Sequence, residues 1–186
     1  MNTVIEKTDS QSQKVYTRAM NPQASTLKLL LQADAAGFRL EIINGLHVWE
    51  ASPLYRHQVE IDRIRESIRP TPDSDCNCQN VADVYFHFKD GSFKRPDIAI
   101  LCRTPLESEM DAALEIIPEA VIEIISQGYE DKDLKIAPGF YLAQGVKDVI
   151  ILDPRAKIIW HHRVDSVQRY NSPQAFSLEC GCNCIV

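Results

Sequence analysis
No stretch of this sequence approaches the roughly 18 to 20 apolar residues that a helix needs to cross a bilayer, which excludes a membrane-spanning helix and leads to the expectation of a soluble protein. Basic charge is in deficit, with 20 Lys and Arg against 26 Asp and Glu and a formal charge of -6. A polycation that grips nucleic acid indiscriminately through its phosphates is therefore excluded, whereas a local basic groove is not. Glycine is scarce, at 7 of 186 residues, and none forms a glycine-rich phosphate loop. A G-x-S-x-G element is missing as well, so kinase, dehydrogenase and serine-hydrolase readings have no support. The opening residues, MNTVIEKTDSQSQKVYTRAM, contain neither an apolar core nor a cleavage-like site, and the expected location is cytoplasmic.

What is present has ordinary globular proportions, 45% hydrophobic and 25% charged, in a length suited to one domain. The composition divides the chain into a loose arm at 1–22, a domain at 23–170 and a cysteine-containing tail at 171–186. The six cysteines fall as Cys76 and Cys78, Cys102, and Cys180, Cys182 and Cys184. If the tail folds back onto the 70s loop, clustered thiolates would suit Zn2+ or Cu(I). The alternative is free, oxidation-prone thiols in flexible segments. Arg56, Arg63, Arg65, Arg69, Lys94 and Arg95 form either a basic groove or a solvated helix face and strand edge.

Local patterns predict the elements. Ser25 or Thr26 is expected to cap a short helix, TLKLLLQADAA, that Gly37 terminates. The segments FRLEII and LHVWEA flank Asn44-Gly45, a strong type I' hairpin signal. Residues 54–69 carry Leu54, Ile61, Ile64 and Ile68 at helical spacing up to Pro70, followed by a surface loop, RPTPDSDCNCQN. ADVYFHF and RPDIAIL read as neighbouring strands, SEMDAALEII as a helix, and AVIEIIS, DVIILD and KIIWHHRV as further strands. The crossover YEDKDLKIAPGFYLAQG either splits in two or begins its helix near Pro138. Strands apolar on both faces imply a covered sheet, hence an α/β or α+β architecture.

Two carboxylates break this apolar pattern: Asp97 at the mouth of RPDIAIL and Glu123 inside AVIEIIS. A buried ionised carboxylate needs a cation, several donors or a metal. Taken singly, Asp97 fits an Asx-type turn after Pro96, and Glu123 a buried pair with an arginine. Taken together, on neighbouring strands, they offer oxygens to a hard cation such as Mg2+, with positions left over for water and phosphate.

The ordered set LEIING, Ser52-Pro53 and His57 leading a helix, RPDIAIL, PEAVIEIIS, a KDL element and FYLAQGVKDVIILDP resembles the restriction endonuclease family, a domain-of-unknown-function branch of the PD-(D/E)XK nuclease superfamily. The resemblance runs from about residue 26 to about residue 164 and implies a restriction-endonuclease-like mixed β-sheet flanked by helices, with an N-terminal helix and hairpin. It implies that Asp97 and Glu123 are catalytic metal ligands for Mg2+, with Mn2+ as a substitute, and that the activity is endonucleolytic hydrolysis of DNA. A homodimer is expected from the symmetry of cutting two strands. The family lysine is missing: Ile125 stands two residues after Glu123, and Ala137 stands where this branch carries it. Lys132 is the expected substitute, with Lys135 the alternative; if neither reaches, the chain is an inactive DNA-binding or assembly module. Glu41 and His57 match pocket-bordering positions, although an ordinary hydrogen bond also accounts for His57. Adjacent His161 and His162 face opposite sides of a strand, His47 and His87 read as structural or exposed, and Tyr141 reads as core packing.

Overall fold
The computed structural model describes residues 22–50 and 52–186, so the expected arm lies outside the described residues except for Pro22. Pro22 opens helix α1 (Pro22–Ala35), earlier than expected, because its fixed φ suits a first helical position. Ser25 and Thr26 consequently do not cap the helix; their hydroxyls donate back to the Pro22 carbonyl at 2.7 and 3.0 Å. Gly37, at φ 87°, ends it as expected, with the Phe38 N–H donating to the Ala33 carbonyl at 2.8 Å. Strands β1 (Arg39–Ile43) and β2 (Leu46–Glu50) form the expected hairpin, with both Asn44 and Gly45 at positive φ.

Helix α2 (Tyr55–Ser67) buries Ile61 and Ile64, while Leu54 stays 70% exposed and outside the apolar stripe. The following segment is less loop-like than its composition suggests: it supplies β3 (Arg69–Pro70) and β4 (Gln79–Val81) and buries Cys76 and Cys78. Next come β5 (Phe86–His87), β6 (Phe93–Lys94) and β7 (Ile98–Leu101). The expected pairing of 82–88 with 95–101 is corrected. β5 and β6 join β1 and β2 in one sheet, whereas β7 enters another, and the break falls at Pro96, which has no N–H for a ladder. The expected helix over 108–117 is also corrected, to a single 3-10 turn at Glu107–Glu109. Leu114 instead bonds Tyr85 and His87 in extended form and is buried in the Phe86 cluster, so tertiary pairing overrides helical propensity.

Strand β8 (Ala120–Ile124) leads into a widened turn at Lys132–Ile136 and then helix α3 (Ala137–Ala143), so the crossover does split, with Pro138 in the first turn of α3. Strands β9 (Asp148–Asp153), β10 (Ile158–Arg163) and β11 (Ser166–Asn171) follow. The tail is built into the fold. It forms β12 (Ala175–Ser177) and β13 (Cys182–Ile185), which pair with each other and with β3.

The central sheet has the order β11-β10-β9-β8-β7-β4, mixed because β8 and β9 run parallel across the α3 connection. Alternation sorts its side chains. Ile98, Ile100, Ile122, Ile124 and Ile150 pack towards α2 and the tail strands, while Ala99, Leu101, Val121, Val149 and Ile151 pack towards α3. This is the covered, mixed α/β architecture that the strand composition implies.

Candidate active site
The register of β7 and β8 builds the site. Ile98 pairs with Ile122 in an antiparallel ladder, so one step further Asp97 stands opposite Glu123, and cross-strand partners share a face. The carboxylates then take over hydrogen bonds at the mouth of the ladder. The Asp97 N–H donates to Glu123 Oε2 at 3.1 Å, and the Ile124 N–H donates to Asp97 Oδ2 at 2.8 Å. Asp97 Oδ2 lies 3.0 Å from His57 Nε2 on α2, and Glu123 Oε1 accepts the Tyr141 hydroxyl of α3 at 2.7 Å. Among the described residues neither carboxylate meets a guanidinium, and Asp97 is not satisfied by an isolated turn.

Behind this pair lies a second charged layer. Glu41 on β1 is fully buried, accepting Lys94 Nζ at 2.5 Å and the Arg95 N–H at 2.7 Å. Lys94 is likewise fully buried, with its ammonium 5.3 Å from the centre of the Tyr141 ring. Arg95 is held by Asp83 at 2.8 Å and Asp34 at 3.0 Å. The solvated-edge reading of Lys94 and Arg95 is thus corrected, because both follow the fold of β6 inward. Arg63 and Arg65 are taken up by Glu60 and Asn80.

Lys132 enters the cleft, 3.3 Å from Glu41 and 3.9 Å from Asp133, and bonds Glu50. Its ammonium is directed at Glu41 and Glu50 rather than in contact with Asp97 or Glu123. Lys135 points away, pairing with Asp131 at 2.8 Å with its side chain 70% exposed. Ile125 and Ala137 are buried in the apolar core. His161 is buried against Asp148 at 2.7 Å, and His87 lies 3.4 Å from Glu115; neither lines the cleft that holds Asp97 and Glu123.

Burial shapes the electrostatics. Burial, and then the Asp97 charge, pushes the Glu123 carboxyl well above the usual carboxylate range. Burial raises Asp133 to about 6, and burial with the Glu41 charge raises Glu50 to about 7. Burial alone would raise Glu41 too, but the Lys94 and Lys132 ammoniums outweigh it and hold that carboxyl at about 2. Burial would lower Lys132, yet Glu41 and Glu50 prevail and raise it, so it stays protonated. His57 is raised because the Asp97 hydrogen bond overcomes its burial. The cleft therefore holds more carboxyl groups than its two ammoniums neutralise.

Sequence reasoning missed Glu50 and Asp133 and took Tyr141 for packing alone. Its ring does pack, edge-on to Phe140 at 5.4 Å, but a hydroxyl in an apolar helix also requires a partner, and that was the available signal. Glu50 gave none, because an acidic residue at the end of a half-exposed strand looks like any other.

A family model described as "Uma2: Putative restriction endonuclease" matches residues 25–180. Among solved structures the chain is similar to "a putative nuclease belonging to DUF820 from Anabaena variabilis ATCC 29413", with 20% identity and a TM-score of 0.57 over 73% of this chain and 78% of that one. At that identity the likeness speaks to the fold. No curated protein matches the chain.

Proposed function
Because the chain belongs to the Uma2 family, we propose that it is a divalent-metal-dependent endonuclease that hydrolyses phosphodiester bonds in DNA. One observation carries this reading: Asp97, half-buried, and Glu123, buried, face each other across an antiparallel pair and are unmatched by any arginine among the described residues. Two carboxylates so placed, with Asp133 nearby, suit a hard cation such as Mg2+ or Mn2+, which takes oxygen donors and keeps positions for water and phosphate. When bound, that cation supplies Lewis acidity towards a phosphoryl oxygen.

The chain's own groups do the rest. Asp97 is held in place by His57 and the Ile124 N–H, and Glu123 by Tyr141 and the Asp97 N–H. Lys132 remains an ammonium and serves as a donor and positive charge towards a scissile phosphate, not as a base. Its grip on Glu41 and Glu50 fixes where that charge stands. Two copies acting together would cut both strands.

The test is incubation of plasmid, linear duplex and single-stranded DNA with Mg2+ or Mn2+. Cleavage is expected, with at least about a hundredfold loss in Asp97→Ala. Cutting that survives Asp97→Ala, or no cutting of any form, sinks the proposal. A second reading, a binding or assembly module without chemistry, is favoured by Ile125 and Ala137 at the lysine positions and by the capture of Lys132 by two carboxylates. DNA binding or self-association without cleavage would support it.

A further inference from the structure
Apart from the carboxylate cleft, five sulfurs gather where three chain segments meet. These are the loop bearing Cys76 and Cys78, Cys102 just after β7, and the tail turn Cys180-Gly181-Cys182. Cys76 is bridged to Cys102, and Cys78 to Cys182. The bridges are themselves adjacent, with Cys76 Sγ 3.4 Å from Cys182 Sγ. Cys180 is a free thiol, yet the sulfurs of Cys76, Cys180 and Cys182 all lie within 4.8 Å of one another.

Two cross-links would hold this corner with four sulfurs and have no need of a fifth. A tetrahedral Zn2+ centre has Zn–S bonds of about 2.3 Å, which sets its sulfurs about 3.8 Å apart. Cys76 and Cys182 are 3.4 Å apart, Cys180 lies within 4.8 Å of both, and the Cys78 sulfur stands beside them, 4.0 Å from the Gly181 carbonyl of the tail turn. The site is also prepared by the backbone. Cys78 sits at φ 50° and Gly181 at φ 82°, and a Cβ on Gly181 would meet Ser74 Oγ at 2.5 Å, so the tail turn lies hard against the 70s loop. Cys76, Cys78 and Cys182 are buried. An all-sulfur donor set selects a borderline-soft ion over Mg2+.

We propose that in the reduced protein Cys76, Cys78, Cys180 and Cys182 bind one Zn2+, closing the corner that the bridges close in the oxidised protein. Each bridge takes two electrons and two protons from a dithiol reductant, which leaves as its own disulfide. The four ligand thiols then release four protons to solvent as Zn2+ binds. Cys102 becomes a free thiol, and Cys184 takes no part.

The full chain, reduced with dithiothreitol, loaded with Zn2+ and desalted without oxygen, is expected to keep about one Zn2+ per chain, and the oxidised chain none. Cys180→Ser and Cys182→Ser are expected to weaken retention by at least about tenfold, whereas Cys102→Ser and Cys184→Ser keep it. Because a serine variant that fails to fold would also lose zinc, alkylation of the reduced wild-type chain, read by mass spectrometry, gives an independent measure. Zn2+ should shield Cys76, Cys78, Cys180 and Cys182 and leave Cys102 equally reactive with and without the ion. Reduced protein without zinc, zinc retained by Cys182→Ser, or shielding that misses the Cys180 and Cys182 pair overturns the proposal.

Discussion

At the scale of single residues, burial makes the carboxyls of the cleft hold protons that a bound cation would have to displace. Glu123, Asp133 and Glu50 all have carboxyls raised by burial, so the folded chain binds more protons than the unfolded one once pH exceeds about 4.5. Stability rises with pH where the unfolded state binds more protons, so here it must fall. His57 acts in the same direction, because its raised value contributes stability below about 6.5 that is lost as pH climbs through the folded value. Glu41, held at about 2, is ionised in both states above about pH 5.5 and contributes no slope there, while nearer its ordinary value it opposes the trend without reversing it. Metal-free protein is therefore expected to lose roughly a few kcal/mol between about pH 4.5 and 7, and Mg2+ to flatten that loss. Thermal melts across this range, with and without Mg2+, check it; a melting temperature that rises with pH in EDTA would contradict it. Tyr141→Phe isolates one donor. It leaves Glu123 Oε1 without its 2.7 Å partner, at a cost of about 1–3 kcal/mol, and raises that carboxyl further. The acid limb of Mg2+-dependent cleavage should move to higher pH in this variant, while an unmoved limb would assign Tyr141 to packing alone.

At the scale of elements, legibility followed locality. The hairpin at Asn44-Gly45, the strands β8, β9 and β10, and the divided crossover were readable because turn chemistry and apolar alternation act within a few residues. The 108–117 segment was not readable, because Leu114 bridges Phe86 far away in sequence and that pairing outweighs its helical pattern. Asp97 and Glu123 were conspicuous as charges inside apolar strands, whereas their exact opposition depends on a register fixed by the whole sheet. The tail was hardest, since CxC spacing has no standard partner and only the fold brings Cys182 to Cys78. That closure depends on one glycine. Gly181→Ala forces a side chain to φ 82° and against Ser74, and should destabilise the protein by about 1–3 kcal/mol. Denaturant melts measure this, and an unchanged midpoint would mean that the tail turn can yield without cost.

At the scale of the molecule, charge sets how a nucleic acid would approach. The chain carries -6 overall, and its cleft gathers Glu41, Glu50, Asp97, Glu123 and Asp133 around the ammoniums of Lys94 and Lys132. Arg39, at the rim, is already paired with Asp83. A phosphate entering that field without a cation meets like charge, which slows encounter and weakens binding. Affinity for duplex DNA should therefore depend on a divalent ion even when no bond is cut. Ca2+ offers hard coordination of the same kind and separates binding from chemistry. Replacing EDTA by Ca2+ is expected to tighten duplex binding by at least about tenfold, an effect lost in Asp97→Ala and reduced by added salt. Fluorescence anisotropy on a labelled duplex reads this directly. Equal affinity in EDTA and Ca2+ would mean that DNA is held by a surface away from the carboxylates, and would shift the balance towards a binding module without chemistry.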